Sequence, residues 1–285
     1  MDRELVLISL TLCLCGPVLL LSGLLPLRAS AHEPARAREL GAWWRLWLPI
    51  LPTASLLGFL IGWALQEPDA SEVNLRPIAF IVAVPFAAVW LRASVRAVQA
   101  LLAQRRVAAA ATGGLFRPRA FISPELRDRL DERALRAVLE HEAAHARHFD
   151  PLRLWLAQIG TDLQWPAASA QRRFSDWRSA LELARDDEAC ERGVDGSDLA
   201  AALIEAARLG DATRGHTIAA LVREGGAGAL RERVVRLLYR TDGAPTAPAR
   251  ARPGWPLVTV VLAIAIAAGV FVGEELVVNL PGLTH

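Results

Sequence analysis

The sequence predicts a mainly α-helical membrane protein: four transmembrane helices, with a cytosolic helical domain carrying a small β element inserted between the third and fourth. Two observations carry this. Hydrophobic residues make up 53% of the 285 residues, but they gather into four runs. Crossing roughly 30 Å of hydrocarbon takes about 20 apolar residues as helix. Trp43, Trp44, Trp47, Trp63, Trp90 and Trp255 lie near the ends of these runs, where aromatic belts form.

The spans are Leu5–Leu27, Leu46–Leu65, Pro77–Leu91 and Trp255–Gly273, and Arg92 is expected to snorkel from the third span to the interface. The first run could instead be a signal peptide, since Ala29-Ser30-Ala31 resembles a cleavage site. Its length, and Asp2 and Glu4 before it, weigh against that. Residues 1–99 thus form the membrane domain, 100–240 the insert, 241–254 a Pro/Ala/Gly-rich linker, and 255–285 the last span with a short tail. Within the insert, residues 113–123 read as a short strand or hairpin. Ser123-Pro124 starts a helix, with Ser as N-cap and Pro at the first helical position. Asp131 starts a second, with Leu135, Val138 and Leu139 as its apolar stripe. Further helices are expected over 151–162 and 177–193, and weaker ones over 198–208, 216–223 and 229–240.

Positive charge sets the orientation. Arg28, Arg36, Arg38 and Arg45 follow the first span; Arg92, Arg96, Arg105 and Arg106 follow the third; Arg250 and Arg252 precede the fourth. Glu67, Asp69 and Glu72 mark the opposite side. The N-terminus is therefore expected outside and the insert in the cytosol, which for a bacterial chain means the inner (cytoplasmic) membrane. All 32 basic residues are Arg, nearly balanced by 30 acidic ones. That balance argues against a phosphate-binding field, so no direct nucleic-acid binding is expected. Three cysteines, Cys13, Cys15 and Cys190, give no disulfide framework.

The chemistry-bearing stretch is His141-Glu142-Ala143-Ala144-His145. Residues i and i+4 project from one helix face, so His141 and His145 can direct imidazoles to one Zn²⁺ at about 2.0–2.1 Å. Glu142, one residue round, lies beside the metal, where it can take a proton from water. His148 shares the stripe but lies about 10.5 Å from His141 along the axis, too far for one ion. A third ligand must come from another helix. The candidate is residues 180–193, where Glu182, Asp186, Asp187, Glu188 and Glu191 gather.

HEAAHARHFDPL (141–152), the preceding GLFRPRAFIS and DEACE (187–191) resemble the BlaR/MecR-type membrane zinc metallopeptidases, which are gluzincins. The resemblance implies a gluzincin-like fold for the insert, Zn²⁺ as cofactor and a cytosolic protein as substrate, a transcriptional repressor among the possibilities. It aligns Asp187 with the family's ligand glutamate, with Glu188 as the fallback. It also matches Asp150 to a family Asp-Pro-Leu, either orienting a ligand histidine or capping the turn, and Arg233 to an active-site arginine that stabilises the oxyanion or simply forms a helix salt bridge. Tyr239 and His216 are weaker oxyanion candidates. The family's receptors carry a penicillin-binding sensor after the fourth span, whereas only a short tail follows Gly273 here. Direct β-lactam sensing is therefore not expected. The strand near Phe116–Ser123 could pair with an extended substrate. The competing reading is a non-catalytic membrane scaffold or receptor with a structural or vestigial zinc site. The substrate, the trigger and the oligomeric state stay open.

Overall fold

The computed structural model describes residue 8 and residues 11–25, 34–66, 76–103, 110–213, 226–239 and 254–279. Residues 241–253 of the predicted linker and the helix expected over 216–223 lie outside these, as do Arg28, Arg105, Arg106, Arg250, Arg252 and His216, whereas Gly254 already belongs to the last helix. The described chain is mainly helical. A π-helical turn, Thr11–Cys15, leads into α1 (Gly16–Gly23), followed by α2 (Ala35–Trp47), a 3₁₀ turn (Leu48–Ile50), α3 (Leu51–Gln66) and α4 (Arg76–Ala103). An antiparallel hairpin, β1 (Ala110–Gly113) and β2 (Arg119–Ile122), pairs Ala110 with Ile122 and Gly113 with Arg119. Then come α5 (Pro124–Arg127), α6 (Glu132–Arg147), α7 (Asp150–Leu163), α8 (Ala168–Glu191), α9 (Gly196–Thr213), α10 (Gly226–Leu238) and α11 (Gly254–Asn279).

Both predicted helix starts carry their caps. The Ser123 hydroxyl accepts from Leu126 N at 3.2 Å, and the Asp131 carboxylate accepts from Ala134 N at 2.7 Å. Each satisfies an amide that the first turn leaves orphaned.

Among the described residues one helical run, Ala35–Gly62, is long and apolar enough to cross a membrane; Thr11–Gly23 and Thr259–Val272 are shorter apolar helices. Among the described residues four such helices are not found. In α4, Arg92, expected to reach an interface, is paired within the fold. Its guanidinium lies 3.2 Å from the Asp162 carboxylate of α7 and 5.1 Å from the Trp165 ring, and Arg96 reaches the same carboxylate at 2.9 Å. Asp162 is fully buried, and a buried carboxylate holds its counter-charges firmly.

The segment read as an Arg-bearing loop is in part the helix α2. It lays Ala42, Trp43 and Leu46 against Phe174, Trp177 and Leu181 of α8 and Ala157 of α7. α8 begins nine residues earlier than expected because its first turns are held by tertiary bonds. Arg173 donates to Gly23 O at 3.1 Å and Leu25 O at 2.8 Å, and Ser169 also donates to Gly23 O. These satisfy carbonyls that the end of α1 would otherwise leave unpaired. α3 and α11 pair at backbone distance. A Cβ at Gly58 would lie 2.1 Å from Ile266 O, and one at Gly62 2.2 Å from Val270 O, so the Gly-x-x-x-Gly spacing is what lets these apolar helices touch.

Candidate metal centre

Two i, i+4 pairs face each other across α6 and α8: His141 and His145 on the first, Glu182 and Asp186 on the second. The two imidazole Nε2 atoms lie 3.2 Å apart, and Glu182 Oε2 is 3.6 Å from His141 Nε2 and 3.8 Å from His145 Nε2. The circle through these three donor atoms has a radius of about 2.1 Å, the distance at which zinc binds nitrogen or carboxylate oxygen. The histidines are buried, whereas the Glu182 side chain is 37% exposed, so the cluster opens towards solvent on the Glu182 side. A catalytic zinc needs such an opening for water.

Behind each imidazole stands a carboxylate. His145 Nδ1 donates to Asp150 Oδ2 at 2.9 Å, which fixes the tautomer and leaves the Nε2 lone pair for a metal. His141 Nδ1 lies 3.0 Å from Asp186 Oδ1, off the line of a linear hydrogen bond. Asp150 can reach back five residues because the chain reverses at Phe149, a non-glycine residue at φ 54°. That left-handed conformation costs on the order of 1 kcal/mol. Asp150 is fully buried and also receives Arg153 at 2.9 Å and both Nε and Nη2 of Arg185. Burial pushes its carboxyl up, but Arg185, His145 and Arg153 outweigh this and hold it far below its ordinary value.

Arg233 of α10 clamps the acidic pair. Its Nε and Nη2 donate to Asp186 at 2.7 and 2.8 Å, its Nη1 lies 2.9 Å from Glu182 Oε2, and its Nη2 is 3.5 Å from His141 Nε2. It is thus both a salt-bridging arginine and a cation at the edge of the cluster. Glu142 is held from the hairpin: the Thr112 hydroxyl lies 2.8 Å from both Glu142 Oε2 and Glu142 O. Burial alone would lower the His145 pKa, but Asp150 and Glu182 raise it to about 10. A metal ligated through Nε2 would have to displace the proton held there.

Asp187 is not the residue brought to the histidines. Its carboxylate lies 2.7 Å from Arg236 Nη2, because five positions beyond Glu182 it stands about 140° round the helix. Glu188, the fallback, accepts from His148 Nε2 at 2.7 Å and Arg147 Nε at 2.9 Å. Glu182 is one of the five acidic candidates of residues 180–193, but the resemblance points to Asp187 instead. The signal for Glu182 was there in the Glu182/Asp186 spacing, which repeats the His141/His145 spacing, and in the buried apolar neighbours Leu181 and Leu183. Thr112 had no local signal.

Glu188 gives a pH test. Burial raises its pKa, but His148, Arg147 and Arg185 lower it further, to about 2 from an ordinary 4.5. A depressed carboxylate stabilises the fold above its unfolded value, and this is lost as pH falls from about 4.5 towards about 2. Glu188→Gln is expected to cost about 2 kcal/mol at neutral pH, discounted from a fully buried pair because Arg147 is partly exposed. Denaturation curves of parent and variant should converge by about pH 2; a deficit that stays constant across that window would refute this assignment.

No family model, curated protein or solved structure matches the chain.

Proposed function

We propose that the chain is an integral membrane zinc-dependent endopeptidase of the BlaR/MecR type that cleaves a cytosolic protein, with a transcriptional repressor in a signalling pathway as the substrate class the resemblance favours. The observation that carries the reading is the triad of His141, His145 and Glu182, with donor atoms all within 4.8 Å of one another, beside Glu142 in the His-Glu-x-x-His pattern. The fit of these donors to zinc is geometric, as set out above.

Zinc, when bound, supplies the Lewis acid that polarises the scissile carbonyl and acidifies water. His141, His145 and Glu182 would hold it, and Asp150 keeps His145 in the ligating tautomer. Glu142, aligned by Thr112, takes the proton of the attacking water and returns it to the leaving amine. Arg233 pairs through three N–H groups with Asp186 and Glu182, and a guanidinium has five. With Nη2 also facing His141 Nε2, the second N–H of Nη1 is the one left to serve a developing oxyanion.

Four spans with an outside N-terminus and a cytosolic insert over 100–240 belong to the same proposal. Supporting it, Arg36 lies 2.9 Å from Glu191 and Arg38 lies 3.8 Å from Glu232, so the positive segment after the first span sits on the same side as the insert.

The test is zinc content and proteolysis of the detergent-purified chain, prepared without chelators. About one zinc per chain is expected by analogy with catalytic sites. Glu182→Gln should lose it on dialysis and Asp187→Ala should keep it. Fluorescein-labelled casein should be cleaved by the parent, not after chelation, and again after zinc is restored. A parent without zinc, or zinc retained by Glu182→Gln but lost by Asp187→Ala, would sink the assignment.

A further inference from the structure

Helix α2, which runs through a 3₁₀ turn into the apolar helix α3, sends one carboxylate towards the metal centre. Glu39 is buried and accepts from Arg153 Nη2. Arg153 Nη1 donates to Asp150 Oδ1 at 2.9 Å, and Asp150 Oδ2 accepts from His145 Nδ1 at 2.9 Å. Three contacts therefore link α2 to the ring whose other nitrogen faces Glu182. The Arg153 guanidinium cannot swing aside. Its carbon lies 4.7 Å from the Trp43 ring of α2 and 5.5 Å from the Trp177 ring of α8, and both indoles are fully buried.

We infer that Glu39 is a positioning residue for the metal centre: through Arg153 and Asp150 it sets the hydrogen bond that orients His145, and so ties the site to the helix leading into the apolar segment. This rests on the zinc reading above.

The reason is competition for one carboxylate. Asp150 is shared by Arg153, Arg185 and His145. Each guanidinium draws electron density that the imidazole N–H would otherwise receive. Glu39 takes up part of the charge of Arg153 and leaves Asp150 a better acceptor for His145. Removing that charge leaves the whole charge of the fixed Arg153 guanidinium to Asp150, weakens the anchor of His145 and reduces the negative charge around the donor atoms. Carboxylates behind ligand histidines commonly change metal affinity by about 10–100-fold, and a residue one contact further out should change it less.

The experiment is a Co²⁺ titration of the full chain in detergent after metal removal, reading both affinity and the d–d absorption bands of the bound ion. Glu39→Gln is expected to weaken binding by about three- to tenfold and to shift the bands. Adding Arg153→Met should restore affinity to within about twofold, because the unbalanced guanidinium is gone. Arg38→Gln, on the same helix but paired with exposed Glu232, should change neither readout. A purely structural Glu39 predicts the reverse for the double variant, a further loss. If Glu39→Gln does not fold, Glu39→Asp carries the test: it keeps the charge, withdraws it from Arg153, and should shift the bands. Parent-like affinity and spectrum in the folded Glu39 variant, or no rescue in the double variant, overturns the inference and leaves the metal reading standing. A parent that binds no Co²⁺ overturns both.

Discussion

Replacing Glu142 with glutamine is expected to leave zinc in place and to lower peptide-bond hydrolysis by about 10²- to 10⁴-fold, the usual contribution of a positioned general base. The substitution keeps the volume, and the Thr112 hydroxyl, 2.8 Å from Glu142 Oε2, can donate to the amide oxygen as it does to the carboxylate. What disappears is a proton acceptor. The donors facing the cation position are His141, His145 and Glu182, so metal content should not move. This separates catalysis from a structural zinc site, which has no use for a base. Zinc measured by elemental analysis and cleavage of labelled casein would be followed in parent and variant. Loss of zinc together with activity would make Glu142 part of the metal scaffold, and unchanged cleavage would remove it from the reaction.

How much of this was legible in the sequence follows from how local each determinant is. His141, Glu142 and His145 share one capped helix, so their spacing alone sets their common face. The third donor depends on the rotation of a second helix about its axis, and local pattern says little about that phase in so acidic a segment. Five positions separate Glu182 from Asp187, and the choice between them is made where α8 packs against Trp43 and Leu46 of α2. α2 was itself hidden, because Arg36, Arg38 and Arg45 interrupt its apolar face and suggest a loop. Its burial comes from Phe174, Trp177 and Leu181, more than a hundred residues downstream. The early start of α8 has the same origin, in bonds from Ser169 and Arg173 to the end of α1. Asp150 was open between two roles, and the left-handed Phe149, which no composition rule announces, turns it onto His145.

Asp150→Asn should be the most damaging single substitution at the site after loss of a ligand. The carboxylate is fully buried and takes four contacts, from His145, Arg153 and two nitrogens of Arg185. Asparagine offers one accepting oxygen and turns an N–H₂ towards groups that are themselves donors. Arg153 and Arg185, each only 2% exposed, lose a counter-charge, and breaking a buried ion pair on one side costs about 3–5 kcal/mol. The depressed Asp150 pKa sets one part of the pH dependence. Its own contribution is present above the ordinary value of 3.8. But Asp150 also raises His145 to about 10 from 6.5, a share that is full below about 6.5 and shrinks as pH rises, so the deficit of the variant should be larger at pH 5 than at pH 8. The fraction of variant that folds should bind Zn²⁺ about 10- to 100-fold more weakly, because His145 has lost the group that fixes its tautomer. Both quantities can be read from thermal unfolding of the detergent-purified proteins at several zinc concentrations, since a ligand bound only to the folded state raises the midpoint with its concentration. A stability deficit below about 1 kcal/mol would mean the two guanidiniums are held well enough without Asp150. An unchanged zinc response would mean that His145 is oriented by packing alone.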